Sequence, residues 1–140
     1  MMEALFQDMK ACARERNLPI LRDSELPLFT GIAASCRPKH VLEIGTCIGY
    51  SALQMAPFLA PGGTITTIEL DRERYDLACQ FFRRSPYEKV ITAIHGDGRR
   101  WRNSFPVRGT SSSSTGRKGS MCASCDISCP SSCPAPSSQR

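Results

Sequence analysis

Val41-Leu42-Glu43-Ile44-Gly45-Thr46-Cys47-Ile48-Gly49-Tyr50-Ser51 is the stretch on which the fold of this chain turns. His40–Ile44 is a short apolar run with one acid, the pattern of a buried strand. Gly45–Tyr50 reads as a glycine-bearing loop, and Ser51–Ala60 as a helix whose last turn Pro57 limits. Downstream, Pro61-Gly62-Gly63 is a turn, Thr64–Ile68 a β-branched second strand, and Asp71 the cap of a helix reaching about Arg84. Lys89–His95 is a third strand. Upstream, Leu5, Met9 and Ala13, with Phe6 beside them, make Met2–Arg16 an amphipathic helix that Asn17-Leu18-Pro19 ends. Asp23 or Ser24 is expected to cap a second helix, with Pro27 in its first turn, running to about Cys36 and the turn Arg37-Pro38-Lys39. Strands and helices therefore alternate as βαβαβ. The expected class is α/β: the N-terminal part of a Rossmann-like fold, a parallel sheet with helices on both faces.

The loop also bears on chemistry. Its glycines are spaced Gly-x-x-x-Gly, not the tight Gly-x-Gly-x-x-Gly that seats a pyrophosphate on a helix N-terminus. That spacing argues against a nicotinamide-dependent dehydrogenase. Glu43 stands just before the turn, where a carboxylate suits a cationic amine better than a diphosphate. Glu69 ends the second strand 24 residues after Gly45, a place from which an acid accepts both hydroxyls of a ribose. Asp97, in Gly96-Asp97-Gly98 after the third strand, is placed to accept from an adenine amine; the plainer reading is that it begins a turn. Three acids at the C-terminal ends of three successive strands are expected to face one crevice. S-adenosylmethionine (SAM) has an amine, a ribose and an adenine but no phosphate.

Composition divides the chain near Trp101. Residues 1–101 carry 13 Lys/Arg against 12 Asp/Glu, whereas residues 102–140 carry 5 against 1, so most of the net charge of +5 lies in the second part and is weak grounds for nucleic-acid binding. That second part has 12 Ser, 4 Pro and 4 Cys and little to bury, so it is expected to be a disordered tail. No apolar stretch is long enough to span a membrane and no signal-peptide pattern opens the chain, so a cytoplasmic, reduced setting is expected. Cys12, Cys36, Cys47 and Cys79 then read as buried or half-buried thiols.

Residues 1–101 resemble the cation-dependent SAM O-methyltransferase family that includes catechol and caffeoyl-CoA O-methyltransferases. The phrase Leu42-Glu43-Ile44-Gly45-Thr46 with Gly49-Tyr50-Ser51 carries the resemblance. The helix, Pro-Ile, helix pattern of Arg16–Cys36 is similar to the bacterial branch that methylates 5-hydroxyuridine in tRNA. The resemblance implies a Rossmann-like methyltransferase domain over residues 1–101, and a SAM site lined by Leu21, Glu43, Gly45, Tyr50, Ser51, Glu69, Asp97 and Gly98. It implies a tRNA or small hydroxylated acceptor, no membrane, and a homodimer in the intact family. It also implies Mg²⁺, held in the family by an Asp ending a fourth strand and a later Asp-Asn pair, with a Lys nearby.

None of those metal or catalytic positions is recognisable after Trp101, so no catalytic or metal residue is assigned here, and the chain is expected to be inactive. The competing expectation is a non-catalytic fragment, or the translation of a pseudogene, with at most residual SAM binding. Cys122, Cys125, Cys129 and Cys133 are only partly spaced for zinc and lack apolar company. A change of reading frame between Trp101 and Gly109 explains more. Serine codons of the TCN type become apolar codons when shifted by two bases. Gly109–Gly116 then permits Tyr-Glu-Phe-Ile-Phe-Ile-Asp-Gly, a strand ending in Asp of the kind the family calls for. Lys10, Arg14, Arg16, Arg83 and Arg84 read as a solvated surface sooner than as an RNA groove.

Overall fold

A computed structural model of the chain describes residues 1–102. Helix α1 is Met2–Glu15, α2 is Leu26–Cys36, α3 is Tyr50–Met55, α4 is Arg72–Arg83 and α5 is Gly98–Arg102; the strands are β1 His40–Ile44, β2 Thr64–Glu69 and β3 Ile91–His95. They alternate as expected. The strands form one parallel sheet in the order β1-β2-β3, with Glu43 opposite Thr67 and Glu69 opposite His95. The expected tail lies, apart from Arg102, outside the described residues, as do the cysteine spacing and the shifted-frame segment.

Helix ends show how local chemistry sets the elements. Past α1, Leu18 N–H donates to Ala13 O (2.8 Å) and Asn17 N–H to Arg14 O (3.3 Å), with Asn17 in the left-handed region at φ 50°. This is a Schellman stop with asparagine where glycine is commoner. Asp71 caps α4 as expected, accepting from Arg74 N–H at 3.0 Å. Neither Asp23 nor Ser24 caps α2. Glu25 holds the cap position, and its carboxylate instead accepts from Arg22 N–H at 2.9 Å. Asp23 is drawn off to an ion pair with Lys10 at 2.6 Å. Pro57 does not merely limit a long helix: α3 stops at Met55 and Ala56–Phe58 tightens to a 3-10 turn. Glu88–Val90 is likewise a 3-10 turn, so β3 starts two residues later than expected, at Ile91.

Alternate residues of a strand face opposite sides of a sheet. Val41, Ile65 and Ile91 are register partners and share one side, where they join Leu5, Met9 and Ala13 of α1, Leu53 of α3, and Ala78, Phe81 and Phe82 of α4 in a single core. Ile44 points to the other side, against the start of α5 at Gly98. Helices thus lie on both faces. Glu43, Thr67 and Glu69 share the core-side parity but sit at the C-terminal end of the strands.

Candidate functional site

Gly45 leaves β1 at φ 97°, a conformation open to glycine, and the N–H groups of Gly45 and Thr46 both donate to Ile68 O, at 2.8 and 3.2 Å. The loop is thereby pinned across the tip of β2. Cys47 follows in the left-handed region at φ 52°, which aims its N–H at Glu69 Oε2 (2.7 Å). Asp71 N–H reaches the other oxygen, Glu69 Oε1, at 3.0 Å. Glu69 therefore spans two loops while each of its oxygens keeps lone-pair capacity.

Glu43 is only 4% exposed. Ser51 Oγ donates to its Oε1, and Thr67 Oγ1 donates to its Oε2 at 2.7 Å. Burial pushes its carboxyl above the usual range, the two hydroxyls pull it back, and nearby Glu69 adds a further upward push. Two buried acids, joined through Thr67 and the 45–51 loop, stand together, and neither is in an ion pair with a described residue.

The other expected residues separate. Asp97 stands past the end of β3 with its side chain 36% exposed, accepting from Arg99 N–H at 2.9 Å at the start of α5, where the plainer expectation is a turn. Ser51 belongs to the Glu43 centre. Tyr50 is buried at 2% with its ring edge-on to Phe6 at 5.6 Å, and its hydroxyl is a buried polar atom without a hydrogen-bond partner among the described residues. Leu21 lines a hollow of about 290 Å³ beside the end of α1. Gly98 answers to packing: a Cβ there would lie 2.4 Å from Ile44 Cγ2. Gly49 likewise leaves room for protein, not ligand, since a Cβ would lie 2.4 Å from Phe82 Cε1. Cys12, Cys36, Cys47 and Cys79, the cysteines among the described residues, are free thiols, Cys47 buried and the others half-buried.

Sequence reasoning missed Thr67 and Thr46, whose hydroxyls meet at 2.6 Å beneath the loop. The signal was present but needed the register: Thr67 precedes Glu69 by two residues and stands opposite Glu43.

Among the described residues no group of three or more His, Cys, Asp or Glu is placed to hold a metal ion. They do not fit the Mg²⁺ implied by the resemblance. No helix among them is long and apolar enough to cross a membrane.

Residues 26–111 match the profile of a family described as O-methyltransferase. An Arabidopsis thaliana protein named for caffeoyl-CoA O-methyltransferase is 32% identical over 83 residues, covering 56% of this chain and 36% of the relative. The protein-L-isoaspartate O-methyltransferase of Pyrobaculum islandicum is 32% identical over 92 residues, covering 61% and 44%. Among solved structures, the O-methyltransferase TomG of Streptomyces achromogenes, crystallised in complex with SAM, superposes with a TM-score of 0.65 at 24% identity, over 76% of this chain and 48% of its own. The chain thus spans less than half the length of each of these relatives.

Proposed function

Since the chain belongs to the O-methyltransferase family, we propose that it carries the donor half of a SAM-dependent methyltransferase acting on an oxygen atom. The carrying observation is the buried Glu43–Glu69 pair, which makes no ion pair with a described residue. SAM, when bound, supplies a methyl group on a positively charged sulfur, together with a cationic amine. Glu43, raised by burial, gains most from a cation beside it. Glu69 has lone pairs left for a diol, and Asp97, whose other neighbour is the Arg99 guanidinium at 3.4 Å, is assigned an exocyclic amine from its position after β3. Tyr50 and Ser51 follow the loop and Gly45 lets it turn; Leu21 and Gly98 are taken into the lining on the family resemblance alone. The unpartnered Tyr50 hydroxyl is a further polar group that a ligand could satisfy.

For the acceptor, the Arg16–Cys36 pattern supports a hydroxyl of the tRNA 5-hydroxyuridine kind. The reading also takes the domain as residues 1–101, the intact enzyme as a cytoplasmic homodimer, and this chain as inactive. Support for pairing is the apolar surface of α2, where Leu28 and Ile32 are 72% and 52% exposed. Support for inactivity is that residues 102–140 contain a single acid, Asp126, where the family needs several metal-binding positions.

Calorimetry with SAM tests the donor site: binding that is lost in Glu43→Gln is expected, and absence of binding to the native chain overturns the reading. A methyl-transfer assay with Mg²⁺ and tRNA lacking the modification tests the rest. No turnover is expected, and methylation by the 140-residue chain would overturn its inactivity.

A further inference from the structure

The hollow beside α1 carries, apart from Leu21, side chains to which the donor-site reading gives no role. Its wall is apolar, formed by Leu18, Ile20 and Leu21, and its rim carries Lys10, Arg14 and Arg22 against one acid, Asp23. Asp23 is consumed by Lys10, whose side chain is only 21% exposed. Arg22 approaches Glu25 at no better than 4.0 Å and is 82% exposed, a contact too weak to hold it. Arg14 makes no ion pair with a described residue, whereas Arg16 and Arg84 are occupied by Glu73 and Asp8. Two guanidinium groups are therefore left at one small cavity. At the end of α1 the carbonyls of Cys12, Ala13 and Arg14 are taken by the Arg16, Leu18 and Asn17 N–H groups.

We propose that this hollow binds a phosphate ester attached to a small apolar or planar group. Guanidinium forks match phosphate oxygens two at a time, and the Leu18–Ile20–Leu21 wall suits a ring or short chain. At about 290 Å³ the space lies near the lower limit for small-ligand pockets, about 300 Å³, and takes one such group, not a whole dinucleotide. Phe6, one turn before Lys10, packs on Tyr50, and Tyr50 adjoins Ser51 and so the Glu43 centre. That neighbourhood makes the hollow an acceptor subsite. This role rests on the methyltransferase reading, whereas anion binding does not.

The test is amide NMR of the full chain at low salt, titrated with inorganic phosphate, uridine 5′-monophosphate and uridine. The nucleotide is expected to shift amides of residues 10–23 and uridine to leave them still. The double variant Arg14→Gln/Arg22→Gln should raise the nucleotide Kd at least tenfold, leave SAM affinity unchanged, and keep the native circular dichroism. In the native chain, raising salt should weaken nucleotide binding, a readout independent of any variant. Oligouridylate and coenzyme A distinguish an RNA phosphate from a coenzyme phosphate as the source. Shifts outside residues 10–23, equal response to uridine and its monophosphate, or an unchanged Kd in the double variant overturns the proposal. Phosphate binding without SAM binding defeats the donor-site reading alone, and the reverse defeats this one alone.

Discussion

Thr67 stands directly opposite Glu43 in the parallel register, and its hydroxyl donates to Glu43 Oε2 at 2.7 Å. A hydroxyl has one hydrogen, so the 2.6 Å contact between Thr67 and Thr46 has Thr46 as its donor. The loop, β2 and β1 are thus linked by a directed chain of side-chain hydrogen bonds. Thr67→Val keeps the shape but removes that relay and leaves a buried carboxylate oxygen short of a donor. It should cost about 1–3 kcal/mol in urea unfolding, with Thr67→Ser losing less. Equal stability of Val and Thr at this position would show the relay to be idle.

On the proposed donor-site reading, Glu43 sets stability and binding against each other. Its folded-state pKa is raised, so the folded protein holds this proton more tightly than the unfolded chain does. The associated stability is full below the ordinary carboxylate range and is lost as pH rises through the raised value. Glu43→Gln should therefore flatten that part of the pH profile and raise the Tm at neutral pH. SAM affinity should fall at least tenfold in the same variant. In the native chain that affinity should fade as acid protonates Glu43. Thermal melts and calorimetry across pH 4–8 would read both; a variant less stable at neutral pH would refute the assigned cause.

Gly49→Ala meets two obstacles, a φ of 83° and a Cβ 2.4 Å from Phe82 Cε1. The steric part should cost about 1–3 kcal/mol, and the backbone part about 1 kcal/mol more. Adding Phe82→Leu should recover some of the steric part and none of the backbone part. A Gly49→Ala chain with native unfolding midpoints would disprove the close approach.

Sequencing the locus across codons 99–110 checks the frame. The expected result is a one- or two-base change whose correction opens an apolar strand ending in Asp. A clean read with no open alternative frame removes the idea.

Much of the donor half was legible because its signals are local. Asp71 caps the helix it precedes, and Gly45 turns where β1 ends. The cap of α2 was not legible, because Lys10, far upstream, competes for Asp23. The close packing at Gly49 and Gly98 was not legible for a related reason: the atoms that forbid a side chain there belong to Phe82 and Ile44, distant in sequence. Thr67 looked like any β-branched strand residue until pairing set it against Glu43. Leu21 was named through resemblance, and only the fold shows it beside a cavity ringed with arginines.

The strand register sets the size of what this protein can grasp. Glu69 lies two residues beyond the partner of Glu43, and Asp97 two beyond the partner of Glu69. The carboxylates climb across the sheet like stairs, the first step covering about 8 Å from the usual rise and strand spacing. A ligand reaching from one tread to the next must lie obliquely and be long for its mass. Free methionine or free adenosine would each stand on part of the flight, and neither should hold as the joined molecule does.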